Sequence, residues 1–108
     1  MDLSVDVYRE TVGFPKSETY GMTSQIRRAS TSIAANIAEG HGRENTGAFV
    51  QFLRIAQGSL KELETHLILA GRLGYLDEKI AGGLLARTDE LGRMIRSMIR
   101  RLQEKMAE

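Results

Sequence analysis

An all-α fold, an up-and-down antiparallel four-helix bundle with a short first helix, is predicted by three features of the sequence. Over the longest stretches apolar residues return at alternating spacings of four and three, the seam by which a bundle helix packs on its neighbours. The one proline, Pro15, and most of the glycines, gathered at Gly40 to Gly47 and Gly71 to Gly83, leave long uninterrupted segments between them. Nothing alternates with period two over a useful length, so no sheet is expected.

The first helix spans Leu3 to Val12, with Leu3, Val7 and Tyr8 toward one side. It stops before Phe14-Pro15 because the residue before a proline is pushed out of helical geometry. In the second, Met22, Ile26, Ala29, Ile33 and Ile37 trace a seam that ends at Gly40, where a helix C-terminus can turn left-handed at low cost. The third, residues 46 to 73, carries the clearest pattern: Phe49, Leu53, Ala56, Leu60, Leu63, Leu67 and Ala70. The fourth starts from Asp77 as N-cap, with Leu84, Leu91 and Met98 seven apart and Ile95 and Leu102 between them. Short loops between long amphipathic helices favour antiparallel neighbours.

A chain of 108 residues with 42 % apolar content is read as one domain, 1–108, with a thin core, and self-association is expected from size alone. Helix four carries a further stripe, Leu85, Gly92, Ile99 and Met106. That stripe is either the extra width of a bundle helix or a subunit interface, as is the run His66-Leu67-Ile68-Leu69-Ala70. The absence of cysteine excludes disulfides and thiolate zinc sites. The start, Met1-Asp2-Leu3-Ser4-Val5, lacks a signal-peptide pattern, and no stretch reaches the ~18 uncharged apolar residues of a membrane span. A cytoplasmic protein without membrane contact is expected.

Catalysis has no candidate constellation. Glu62 and His66 are four apart and Glu64 and His66 two apart, not the Glu-x-x-His spacing of a di-iron bundle. Gly40-His41-Gly42 begins like a dinucleotide fingerprint, but Asn45 takes the place of the third glycine and no strand precedes it. No serine has a histidine at a recognisable spacing, and there is no phosphate-binding lysine loop. No enzyme activity, metal or cofactor is expected.

Basic residues are more informative. The net charge is +1, so any basic surface must be local. From Arg87 to Lys105 six cations (Arg87, Arg93, Arg96, Arg100, Arg101 and Lys105) meet three carboxylates (Asp89, Glu90 and Glu104), a local +3. Arg93, Arg96 and Arg100 share one helical face that would track phosphates, and Arg27, Arg28 and Arg43 would extend it. The other reading is a solvated face whose arginines complement a helix C-terminus. Three Phe, three Tyr and no Trp disfavour sequence-specific stacking on single strands. Asn36, on the second seam, reads as a buried amide that sets register, and Gly58 as a point of close helix approach.

The run Tyr20-Gly21-Met22-Thr23-Ser24-Gln25-Ile26-Arg27-Arg28-Ala29 is followed at a set distance by Asn36-Ile37-Ala38-Glu39-Gly40-His41-Gly42-Arg43. Then come Phe49 to Thr65, reading FVQFLRIAQGSLKELET, and Leu73-Gly74-Tyr75-Leu76. Together these runs resemble the four-helix-bundle family of 23S rRNA intervening-sequence proteins, to which the accessory variability determinant of diversity-generating retroelements is related. The resemblance implies a homo-oligomer, a pentameric barrel of bundles, whose role lies in presenting basic surface and a channel. It places Arg27, Arg28, Asn36, Glu39, Arg43, Glu62 and Glu64 at the family's recurring polar positions, the acidic ones as ties between helices or subunits. The sequence departs from the family at Ala34-Ala35, at His66 and in its shorter first helix. Two functions are therefore open: a nucleic-acid-associated protein that contacts RNA or DNA backbone through Arg93, Arg96, Arg100 and Arg101, or a ring-forming scaffold for a protein partner.

Overall fold

Four helices follow one another in the order of the sequence: α1 (Asp2–Thr11), α2 (Met22–His41), α3 (Thr46–Arg72) and α4 (Glu78–Ala107). One 3₁₀ turn, Lys16–Glu18, lies between α1 and α2, and there is no strand among the described residues. The computed structural model describes residues 2–107; Met1 and Glu108, the two ends of the expected domain, lie outside the described residues. Consecutive helices run antiparallel in a rod of 51 × 23 × 18 Å. α3 is its spine, packed along α2 on one side and α4 on the other, while α1 lies on α2 and touches α4.

The α3 seam forms the core as its spacing predicts: Leu53, Ala56, Leu60, Leu63, Leu67 and Ala70 are buried, each large side chain stabilising the fold by about 1.5–3 kcal/mol. Its first member, Phe49, is only half-buried, and Val50 turns inward beside it. On α4 the buried line is Ala81, Leu84, Thr88, Gly92, Ile95 and Ile99, so Gly92 and Ile99 of the second stripe belong to the core. Leu91, Met98 and Leu102 are only partly covered, and Met106 is exposed. Met98, Leu102 and Met106 lie past the level that the described part of α1 covers. The Ser4 hydroxyl donates to the Ser30 carbonyl (3.0 Å) and Asp2 and Leu3 lie near Leu91 and Met94. Beyond that level α2 runs on to His41 and α4 to Ala107 with no described residue of α1 over them.

Each long helix starts from a fixed point. The Asn45 side chain accepts from the Ala48 N–H (2.9 Å) and Asp77 accepts from the Lys79 N–H (2.8 Å), satisfying amides that no intrahelical carbonyl reaches. α2 has a glycine at its N-cap, and Glu18 of the 3₁₀ turn serves instead, accepting from the Met22 N–H at 3.0 Å. The other Glu18 oxygen accepts from the Tyr75 hydroxyl (3.1 Å), and the Tyr75 ring packs on buried Phe14 with centroids 5.5 Å apart. This bond to a carboxylate, more than desolvation, raises the Tyr75 pKa above its usual 10.0. Gly74 makes the turn into this contact at φ +78°, and the Tyr75 N–H closes it on the Ala70 carbonyl (2.9 Å). The α1–α2 and α3–α4 connections are thus tied together at one end of the rod.

Two glycines have reasons other than those the sequence predicts. Gly40 lies inside α2 without a left-handed conformation, and a Cβ there would stand 2.6 Å from the Phe49 ring and 3.1 Å from the Phe52 Cβ. Close approach is therefore the requirement at Gly40. At Gly58 a Cβ would meet nothing within 4 Å, so helix packing does not explain a residue that costs about 1 kcal/mol against alanine in a helix interior.

Candidate functional site

The arginines singled out from the sequence divide by what they hold. Arg27 is half-buried against α1: its Nε donates to Thr11 Oγ1 (2.9 Å), its Nη2 to the Tyr8 carbonyl (3.3 Å), and its guanidinium lies 4.7 Å from the Tyr8 ring centroid. It docks α1 on α2. Arg28 is exposed and donates to Gln25 Oε1 at 2.8 Å. Arg43 pairs with Glu39 (3.1 Å) and lies over the Phe52 ring at 5.1 Å. Arg93 pairs with Asp89 one turn earlier. The hydrogen bond from Arg93 holds the Asp89 carboxyl below the usual 3.8, with Arg96 and Lys61 adding to the effect. Arg87 reaches Asp6 of α1 at 2.5 Å.

Arg96, Arg100 and Arg101 make no ion pair among the described residues, and all three are exposed. Arg93, Arg96 and Arg100 share a face, while Arg101 is turned about 100° from Arg100 by helix geometry, so the four form a broad surface and not one stripe. Arg93 stands level with the start of α1, and Arg96, Arg100 and Arg101 lie beyond it along α4.

The polar residues also separate. Glu64 joins helices: it accepts from the buried Thr88 hydroxyl of α4 (3.0 Å) and lies 3.4 Å from Lys61. Glu39 reaches Arg43 in the loop just past α2, and Glu62 reaches His66 one turn along α3 (3.8 Å). Asn36 is half-buried, not fully buried. Its amide donates to the Ser32 carbonyl (2.8 Å) and hydroxyl (3.1 Å), and the Ser32 hydroxyl meets that of Ser59 across the α2–α3 contact at 2.8 Å. Among the described residues no three His, Asp or Glu side chains come together as metal ligands, and no helix is long and apolar enough to cross a membrane.

Sequence periodicity missed one feature. Arg54 and Gln57 of α3 face Arg96 of α4 across a groove of about 420 Å³ whose wall includes Gly58 and Gly92. The available signal was the pair of mid-helix glycines, which carry no information about each other until α3 and α4 are known to be neighbours.

Comparison with known proteins agrees with this architecture. A crystal structure of a protein of unknown function from the S23 ribosomal protein family of Bacteroides thetaiotaomicron is similar to the chain, with a TM-score of 0.81 and 27 % identity. The alignment covers 91 % of this chain and 92 % of that one. No curated protein matches. The model of the 23S rRNA-intervening sequence protein family matches residues 1–97, a span that takes in α1 to α3 and α4 as far as residue 97, and the chain belongs to that family.

Proposed function

We propose that the protein is a non-enzymatic, homo-oligomeric nucleic-acid-associated protein of the cytoplasm that holds RNA by its backbone through the arginines of α4. The observation that carries this reading is the contrast in pairing. Arg27 and Arg87 are occupied in docking α1, whereas Arg96, Arg100 and Arg101 make no ion pair among the described residues that a phosphate would have to displace. The exposed pairs of Arg43 and Arg93 are of the weak surface kind, so those two arginines, with Arg28, can exchange partners for phosphate and widen the contact. The names of the matching family and of the similar structure, which refer to 23S rRNA and to a ribosomal protein family, point the same way. With few aromatic residues, selectivity rests on RNA shape or on a partner.

Self-association accords with the incomplete cover over α4, where Leu91, Met98 and Leu102 are partly open and Met94 is 55 % exposed. Five copies is the number that the family resemblance implies. The same apolar flank favours the second reading, a ring that docks another protein without touching nucleic acid. Fluorescence anisotropy with an RNA hairpin at several salt concentrations, with mass measured by light scattering in the same buffers, separates the two. Backbone contact predicts affinity that falls steeply with salt, and a salt slope that drops by about one for each of Arg96→Glu and Arg100→Glu at unchanged mass. An intact oligomer without affinity at low salt overturns the RNA reading in favour of the scaffold.

A further inference from the structure

We propose that the groove between α3 and α4 is a nucleotide pocket, in which Arg54 and Arg96 hold a phosphate and a base lies over the bare backbone at Gly58, with buried Leu60 and Gly92 behind it. The RNA reading above supplies the nucleotide as an unpaired residue of a bound strand, and the inference rests on it to that extent. Three observations lead here. The first is size: about 420 Å³ falls within the range of small-ligand sites.

The second is the floor. Gly58 serves no turn and no close approach, since a Cβ there would meet nothing within 4 Å; its effect is to leave the α3 wall of the groove without a side chain. On the facing wall, a Cβ at Gly92 would stand 3.3 Å from both Leu60 Cδ2 and Arg96 Nη1, so glycine allows the Arg96 guanidinium to lie down across α4 at the groove. α3 thus presents exposed bare backbone at Gly58, a flat surface fit for a ring, with buried Leu60 and Gly92 closing the groove behind it.

The third is charge. The two carboxylates of the groove are engaged, Glu64 by Thr88 and Lys61 and Asp89 by Arg93. Arg54 and Arg96 have no such partner among the described residues, and a guanidinium fork matches phosphate oxygens two at a time. A free inorganic anion would use the arginines and leave the floor bare, and an apolar peptide would do the reverse. A nucleotide uses both, and the Gln57 amide offers a donor and an acceptor to a base edge. Bases in a duplex are already paired and stacked, so the pocket takes residues from loops, bulges or ends.

The test is a ¹⁵N-labelled titration of the full chain with adenosine 5′-monophosphate, hexa-adenylate and inorganic phosphate, followed at the amide signals of Gly58 and Gly92. Both nucleotide probes are expected to shift these signals to saturation, and inorganic phosphate to bind at least about tenfold more weakly. Gly58→Leu, which places a side chain in the groove, is expected to lose about tenfold in hexa-adenylate affinity while its melting temperature stays level or rises. Arg54→Gln is expected to lose severalfold. Inorganic phosphate that binds as well as the nucleotides, or a folded Gly58→Leu protein that binds hexa-adenylate like wild type, overturns the pocket. A hexamer no tighter than the monophosphate assigns the pocket to free nucleotides instead of RNA. Failure of the RNA reading is seen separately, as loss of hairpin binding by the wild-type protein.

Discussion

The two ends of the rod are built on different terms. Where the α1–α2 and α3–α4 connections meet, Phe14, Glu18, Tyr75 and Leu76 interlock beside buried Val7, Thr11 and Ala81, while Val12, Tyr20 and Leu73 stand exposed around them. At the other end no described residue of α1 covers the bundle. There Ile37, Phe49, Met98 and Leu102 are partly covered, and three arginines stand without partners among the described residues. The closed end fixes the helices; the open end keeps its arginines available. In a small bundle both properties cannot occupy the same turns, because each interlocking contact consumes a group that a ligand would otherwise use.

Substitutions sharpen or break this contrast in graded steps. The largest effect is expected for Leu67→Ala, whose side chain is fully buried: a loss of about 2–5 kcal/mol by denaturant unfolding, against about 1 kcal/mol for half-covered Leu102→Ala. Equal losses would mean that the open end is covered in solution, as oligomerisation would cover it. Gly40→Ala probes a tight contact of the open half and is expected to cost about 1–3 kcal/mol through the Phe49 ring. Gly58→Ala, with free space around it, is expected to gain up to ~1 kcal/mol in the same assay.

Tyr75→Phe comes next, with a lowered melting temperature at neutral pH. The folded-state pKa of Tyr75 is raised, so its contribution is complete below the ordinary value of 10.0 and is lost as pH rises through the folded value. Melting curves taken above pH 10 should therefore converge for wild type and Tyr75→Phe. Asp89→Asn is the smallest. The Asp89 carboxyl is held low by Arg93, so its contribution is present above 3.8 and fades as pH falls below it, but the pair is solvent-exposed. No change in melting temperature is expected at neutral pH, and a clear drop would show that the Arg93 face is buried in an assembly.

What was legible in the sequence follows the same division. The α3 seam, the four-helix order and the Asp77 cap come directly from spacing and local chemistry, because they depend on residues a turn or two apart. Which glycine is tight and which is free was not legible: Gly40 and Gly58 differ only in what stands opposite, Phe49 and Phe52 in one case and open space in the other. Arg27 reads as a basic residue beside Arg28, yet its partners Thr11 and Tyr8 lie on another helix. The partly covered state of Met98 depends on how far the described part of α1 reaches, a fact about the neighbour and not about α4. Arg54 escaped for the same reason, since it joins Arg96 only across the α3–α4 groove.

The α2–α3 contact has a consequence for kinetics. These helices are adjacent in sequence, joined by the four residues Gly42 to Asn45 and more extensively packed than any other pair, so their pairing costs the least loop entropy. Folding is expected to start there and to add α4 afterwards. Mutations on the α4 side of the seam should then speed unfolding more than they slow folding, readable as low φ-values for Ile95 and Ile99 and higher ones for Ile33 and Leu53. On that order the arginine surface is the last part of the bundle to form and the first to be lost, and its lifetime is set by the rate at which α4 leaves the hairpin.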